Sequence, residues 1–331
     1  MPSWEGICRL VHCYEEAFVD VLGTRMHYLH AGSGRPMLLI HGLVGSSSNW
    51  RKNIDALARE ASVYALDMGN MGKSQRVEGL DASLEATADR VAAAMDTLGL
   101  ARAEIAGHSH GGAVALMLAA RHPHRVSSLI LFAPANPFSD VGDRLVRVYS
   151  TSLGRLAARF GPYLPTRIKH FALGRMYGDP ARIASDSLHG YVGELRVPGT
   201  VQHVLAIVRS WFTNMAKLRL ALQQVADIPT LLIWGDRDRA VDPASAIPLQ
   251  RLLQRSELLV VPTAGHIVFE EMPEESNRLM LSWLRRDDAS SVVEQGDQVV
   301  AARRRQNALR PAAIASRTRN ATALQHLSPE A

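Results

Sequence analysis

Only two cysteines, Cys8 and Cys13, occur in 331 residues, and both precede the first strand-like run. Two thiols cannot build a disulfide scaffold or, by themselves, a four-ligand zinc site. They read as reduced thiols in an N-terminal arm, residues 1–13. Long apolar runs are missing too. No window approaches the roughly 18–20 uninterrupted apolar residues of a membrane helix, so no integral membrane span is expected. The first segment carries Glu5 and Arg9 and lacks the apolar stretch of a secretory leader. The expectation is a soluble, cytoplasmic protein. Lysine is confined to positions 52, 73, 169 and 217. No basic stripe interleaved with aromatics is present, which argues against a nucleic-acid partner. Nucleotide fingerprints are absent as well. Asp67–Ser74 ends in Gly-Lys-Ser, but only two residues separate Gly69 from Gly72, short of a phosphate loop, and no G-x-G-x-x-G occurs.

What is present suits a globular enzyme. Apolar residues make up 47% of the chain and charged residues 21%, enough for a full core with one large insertion. The net charge of +5 is uneven: residues 137–226 hold twelve Lys/Arg and five Asp/Glu, and residues 287–331 hold six Arg and five acids. The basic stretch reads either as a solvated Arg-rich face or as an attraction for an anionic substrate or acidic membrane surface.

Strand-like and helix-like segments alternate in the first half. Ala17–Leu22 and Arg25–His30 read as a hairpin turning at Gly23-Thr24. Pro36–Ile40 and Ser62–Leu66 read as buried strands, Ser47–Arg59 and Leu84–Leu98 as helices. Glu104–Gly107, His110–Arg121 and Val126–Ala133 continue as strand, helix, strand. Such alternation predicts an α/β fold with a mostly parallel sheet covered on both faces. From residue 137 to 226 no strand-like run occurs, only helix-like stretches broken by Pro and Gly, so this interval reads as a helical lid inserted into the core. Thr230–Trp234 and Leu258–Val261 resume the strands, and Glu274–Arg286 reads as a closing helix. The core is thus 14–136 plus 227–286, and 287–331 reads as a disordered tail.

Gly107-His-Ser-His-Gly111 fits G-x-S-x-G between a strand and a helix. A sharp strand-to-helix turn holds such a serine at its apex with the hydroxyl projecting, making Ser109 the candidate nucleophile. A serine hydroxyl needs a neutral imidazole to take its proton. His266, in Ala264-Gly265-His266 after a buried strand, is the candidate. Gly235-Asp236-Arg237-Asp238, with Asp242 nearby, offers the carboxylate that would orient it.

With these motifs in this order the chain resembles lid-bearing serine hydrolases of the α/β-hydrolase superfamily. The resemblance spans residues 14–286. It implies the α/β-hydrolase fold and the order nucleophile, acid, histidine. The acid usually falls on the third residue after the glycine, which favours Asp238 while leaving Asp236 and Asp242 as alternatives. His41-Gly42-Leu43-Val44-Gly45 matches the family's H-G-x-x-G turn, implying an oxyanion hole from the backbone N–H groups of Leu43 and His110. His41 itself reads as a residue that holds the loop, and the Asp67–Ser74 turn as structural. His108 and His110 form H-x-H, but no further ligands follow, so no metal is expected. No cofactor is implied.

In the lid, Trp211, Phe212 and Met215 are the candidate walls of an apolar substrate pocket. The leading expectation is hydrolysis of an ester or related acyl bond of a small, largely apolar substrate. The same triad serves C–C bond hydrolases, cofactor-free haloperoxidase-like enzymes and acyltransferases, and the fold also serves as a non-catalytic receptor. Homo-oligomerisation is left open.

Overall fold

The computed structural model describes residues 14–140, 143–184, 187, 191 and 193–285. The N-terminal arm with Cys8 and Cys13 and the tail 287–331 lie outside the described residues. One compact unit extends to Leu281, and the described residues 282–285 fall outside it.

Eight strands form one sheet: β1 (Glu15–Val21), β2 (Thr24–Ala31), β3 (Pro36–Ile40), β4 (Ser62–Leu66), β5 (Ala103–His108), β6 (Val126–Phe132), β7 (Thr230–Gly235) and β8 (Ser256–Val261). Their order is β1-β2-β4-β3-β5-β6-β7-β8. The β1–β2 and β2–β4 pairs are antiparallel and the rest parallel. Met37 to Ile40 of β3 and Ile105 and Ala106 of β5 are wholly buried. Helices cover both faces there, which is why β3 reads as an unbroken apolar run rather than an alternating one.

The hairpin turns at Leu22-Gly23, one residue earlier than the Gly23-Thr24 expected. Val21 pairs with Thr24, leaving a two-residue loop. Both loop residues have positive φ, 49° and 78°, the primed turn that matches strand twist. The helix expected over Ser47–Arg59 is broken into a 3₁₀ turn, Ser47–Trp50, and one α-turn, α1 (Ile54–Leu57). Tertiary contacts outcompete its helical periodicity. The Trp50 ring stacks on Phe269 at 4.2 Å, and the Asn53 amide donates to the Phe269 carbonyl and to Asn277.

The helix α2 (Leu84–Thr97) starts at Ser83, whose hydroxyl accepts the Ala86 N–H. It is followed by α3 (His110–Arg121). Between β6 and β7 the described residues carry only helices and 3₁₀ turns: α4 (Asp143–Ser150), α5 (Ser152–Phe160), α6 (Thr166–Gly174), α7 (Thr200–Arg209) and α8 (Trp211–Ala221). Ile207 of α7 and Met215 and Leu218 of α8 join the main core, whereas most of α5 and α6 is exposed. After β7 come α9 (Ala246–Leu252), α10 (Val268–Glu271) and α11 (Pro273–Leu284).

The strand order reverses about β3, whose neighbours are β4 and β5. In open α/β sheets, sites form at such a switch point, outside the carboxyl ends of the strands. The loops after β3, β5, β7 and β8 all leave from that edge.

Candidate active site

Ser109 stands between the end of β5 and the start of α3, with φ 52° and ψ −118°. A non-glycine residue held there stores about 1–3 kcal/mol of strain. Surrounding bonds impose it. The Ser109 N–H donates to the Phe132 carbonyl at 3.0 Å, and its own carbonyl accepts the Ala135 and Ala113 N–H groups at 2.9 and 3.1 Å. The elbow's glycines are packing requirements. A Cβ on Gly107 would lie 2.6 Å from the Gly111 carbonyl oxygen, and one on Gly112 would lie 2.7 Å from Pro134. A Cβ on Gly111 would collide with the carbonyls of Ile40 and His41. The start of α3 therefore sits directly against the turn that follows β3.

His266 Nδ1 lies 2.8 Å from Asp238 Oδ2. A carboxylate can only accept, so Nδ1 carries a proton and Nε2 is the ring nitrogen left outside this bond. The other oxygen of Asp238 accepts the N–H groups of Ala240 (2.7 Å) and Val241 (3.0 Å). Asp238 and His266 are both buried, at 8% and 5% exposure. Of the three carboxylates left open by the sequence, only Asp238 meets the histidine. Asp236 is exposed, and Asp242 caps the Ala244 N–H at 2.9 Å.

The histidine loop is clamped from several sides. The His266 N–H donates to the Met176 carbonyl at 2.7 Å. Gly235, Gly265 and Gly178 approach so closely that a Cβ on any of them would collide with backbone. Buried Glu271 accepts the N–H groups of Gly265 (2.7 Å), Gly178 (3.0 Å) and Asp179 (3.0 Å) and pairs with Arg182 at 3.1 Å. A segment of the helical interval, 176–179, is thus part of the histidine's support. His108, next to the serine, donates through Nε2 to the His266 carbonyl at 3.1 Å, and the two rings lie 4.6 Å apart. Burial, then the neighbouring His266, holds His108 well below the usual histidine pKa, so it is the neutral Nε2–H tautomer. Sequence reasoning missed His108 and Glu271 as supports. The one hint was an acidic pair, Glu270-Glu271, ending the apolar run Ile267-Val268-Phe269.

Leu43 follows β3 and His110 opens α3, on loops leaving adjacent strands. The first-turn N–H of His110 has no acceptor within its helix. His41 is buried and links the turns after β3 and β4. Its Nε2 accepts the Met68 N–H at 3.0 Å, while its Nδ1 lies 2.8 Å from the Gly42 carbonyl. The Asp67–Ser74 loop closes on the Asp67 carboxylate, which accepts the Lys73 N–H at 2.8 Å and bonds His27 at 2.8 Å. Burial alone would raise the Asp67 pKa, but these bonds, one from the Ser47 N–H and the nearby His41 hold it below its usual value.

Of the three aromatic and Met candidates, Trp211 lies beside the elbow, its ring stacked 6.5 Å from that of His110. Phe212 is 43% exposed, with the Arg147 guanidinium over its ring, and Met215 is buried in the core cluster. His110 also borders a small cavity with Thr87, Arg90 and His203. Both its ring nitrogens are buried without a hydrogen-bond partner among the described residues, and burial lowers its pKa to about 3. Burial, then Arg90 and Arg76, lowers that of His203 to about 4. Among the described residues no three or more His, Cys, Asp or Glu converge as a metal site.

Known proteins resemble this chain over most of its length. Residues 35–273 match the family described as alpha/beta hydrolase fold. A dihydrolipoyllysine-residue acetyltransferase component of an acetoin cleaving system from Pseudomonas putida is 33% identical over 270 residues, 81% of this chain and 68% of that protein. A 2-hydroxy-6-oxo-2,4-heptadienoate hydrolase from Pseudomonas putida is 29% identical, covering 80% of this chain and 94% of the relative. The solved meta-cleavage product hydrolase of Pseudomonas fluorescens superposes with a TM-score of 0.70 at 25% identity, over 80% of this chain and 96% of that one.

Proposed function

This chain belongs to the α/β-hydrolase fold family, and on that premise we propose that it is a serine hydrolase, cleaving an ester or related acyl bond of a small, largely apolar substrate through an acyl-enzyme on Ser109. The observation that carries the reading is the 2.8 Å bond between His266 Nδ1 and buried Asp238, on a loop packed against the elbow through His108. With Nδ1–H committed to Asp238, His266 Nε2 accepts the Ser109 hydroxyl proton as Oγ adds to the carbonyl carbon. The imidazolium then returns that proton to the leaving group as the acyl bond breaks. Water repeats the sequence, giving up its proton to His266 and releasing the acid. Asp238 stabilises the imidazolium in both halves. The backbone N–H groups of Leu43 and His110 receive the oxyanion, a term worth about 3–4 kcal/mol for a single well-aimed donor. Residues 137–226 act as a lid over this centre, with Trp211 as part of the apolar wall.

A second reading, hydrolysis of a carbon–carbon bond next to a carbonyl, is favoured by the relatives. Proteins named as 2-hydroxy-6-oxo-2,4-heptadienoate hydrolase and 2-hydroxymuconate semialdehyde hydrolase match over 94% of their own lengths. The same serine and histidine would serve both reactions. Turnover of p-nitrophenyl esters of graded chain length, alongside a vinylogous diketone acid, separates them. Ester turnover lost in Ser109→Ala with the fold retained supports the first reading. Cleavage of the diketone acid alone supports the second, and unchanged turnover in Ser109→Ala removes both.

A further inference from the structure

Five of the large apolar side chains left in solvent lie on α5 and α6, and a sixth, Tyr163, lies on the turn between them. Leu153 is 77% exposed, Leu156 52%, Phe160 62%, Tyr163 73%, Ile168 50% and Phe171 69%. On α5 the first three recur at i, i+3 and i+7, so they share one face; on α6, Ile168 and Phe171 share another at i, i+3. Exposed apolar residues scattered singly need no explanation, as at Phe18 or Ile247. Three on one face of a single helix, as on α5, do.

The charge of the same stretch is one-sided. From residue 144 to 178 the chain carries Arg144, Arg147, Arg155, Arg159, Arg167, Lys169 and Arg175, and no Asp or Glu. Three arginines share one cleft. A surface cleft of about 220 Å³ between α5 and α7 is lined by Arg155, Arg159 and Arg209, with Gln202, Leu205 and Ala206. Arg155 donates to the Ser150 carbonyl and to Ser152 Oγ. Among the described residues no carboxylate pairs with any of the three. Arginines gathered without a carboxylate suit the oxygens of a phosphodiester.

We propose that the apolar face of α5, with Tyr163 just beyond it, docks on an anionic phospholipid bilayer. Leu153, Leu156, Phe160 and Tyr163 enter the boundary between headgroups and acyl chains, and the Arg155–Arg159–Arg209 cleft takes a lipid phosphate. Amphipathic helices with basic flanks bind membranes in this way, lying in the interface rather than spanning it. No helix among the described residues is long and apolar enough to cross a bilayer. Charge argues against a second copy as the occupant, since two such faces would oppose cation to cation.

The test is co-sedimentation of the full chain with vesicles of phosphatidylcholine alone, or with about a third of it replaced by phosphatidylglycerol. Binding is expected only to the anionic vesicles, and it should fall in 1 M salt, where the screening length is about 3 Å. Replacing Arg155, Arg159 and Arg209 by Gln should lower partitioning on the order of a hundredfold. Leu156→Ser with Phe160→Ser should lower it at least about tenfold. Leu22→Ser, at the distant hairpin turn, should leave it unchanged, and melting curves confirm that each variant is folded. Absence of vesicle binding, or equal binding to neutral vesicles, overturns the proposal. So does capture of free glycerol phosphate without vesicle binding, or a dimer in light scattering that Leu156→Ser with Phe160→Ser dissociates.

Discussion

His108 Nε2 donates to the backbone carbonyl of His266 across 3.1 Å, and their rings lie 4.6 Å apart. The residue beside the candidate nucleophile thereby grips the residue proposed as its base. This contact joins the end of β5 to a loop 158 positions away in sequence. It supports His266 through its backbone, leaving the ring free to bond Asp238.

Removing that grip should slow the reaction without greatly altering substrate binding. His108→Leu leaves a buried carbonyl without its donor, a loss of about 1–3 kcal/mol. We expect kcat to fall about tenfold, with KM within about twofold. His108→Asn, which keeps a donor, should recover part of the loss. Steady-state kinetics on the same ester checks both.

Asp238→Asn should keep the fold and lose activity, by about ten-thousandfold in kcat, because an amide no longer enforces the productive His266 tautomer. Asp236→Asn should stay within about twofold of the parent, since Asp236 is solvent-exposed. Equal effects of the two substitutions on kcat would reject the assignment of Asp238.

Much of this was legible in the sequence, and the misses have identifiable causes. β3 announces itself because a strand buried on both faces must be apolar throughout. The elbow announces itself because Gly107, Gly111 and Gly112 leave no room for Cβ atoms. The acid stayed ambiguous because Asp236 and Asp238 sit on one short loop. Which of them is buried depends on where Ala240 and Val241 place their N–H groups. The roles of His108 and of residues 176–179 depend on contacts between segments distant in sequence, which no local period encodes. For the same reason the 47–59 stretch looked continuous: its break is made by Phe269 and Asn277, more than two hundred positions away.

Glu271→Ala should destabilise the protein by about 3–5 kcal/mol, because Arg182 loses its buried partner and three backbone N–H groups lose their acceptor. The histidine loop depends on those bonds, so activity should fall before global unfolding. Urea titration followed by both fluorescence and ester turnover measures the two transitions.

Acid should weaken the fold through His110 and His203. Burial holds their folded-state pKa values at about 3 and about 4, below the unfolded value of about 6.5. Their neutral forms therefore contribute fully above that unfolded value, and the contribution is lost as pH falls through the window toward the folded values. Between pH 7 and pH 5 each should remove up to about 2 kcal/mol. The urea midpoint should fall over that range, and His110→Phe should flatten the slope. A parent midpoint that does not change between pH 7 and 5 would contradict the buried, neutral assignment.

Covalent labelling with a fluorophosphonate, followed by peptide mapping, bears most directly on the proposed mechanism. One adduct is expected, on the peptide containing Ser109; it should vanish in Ser109→Ala and form far more slowly in His266→Ala. A folded protein that takes no label, or takes it at another residue, would contradict the assignment of Ser109 as the nucleophile.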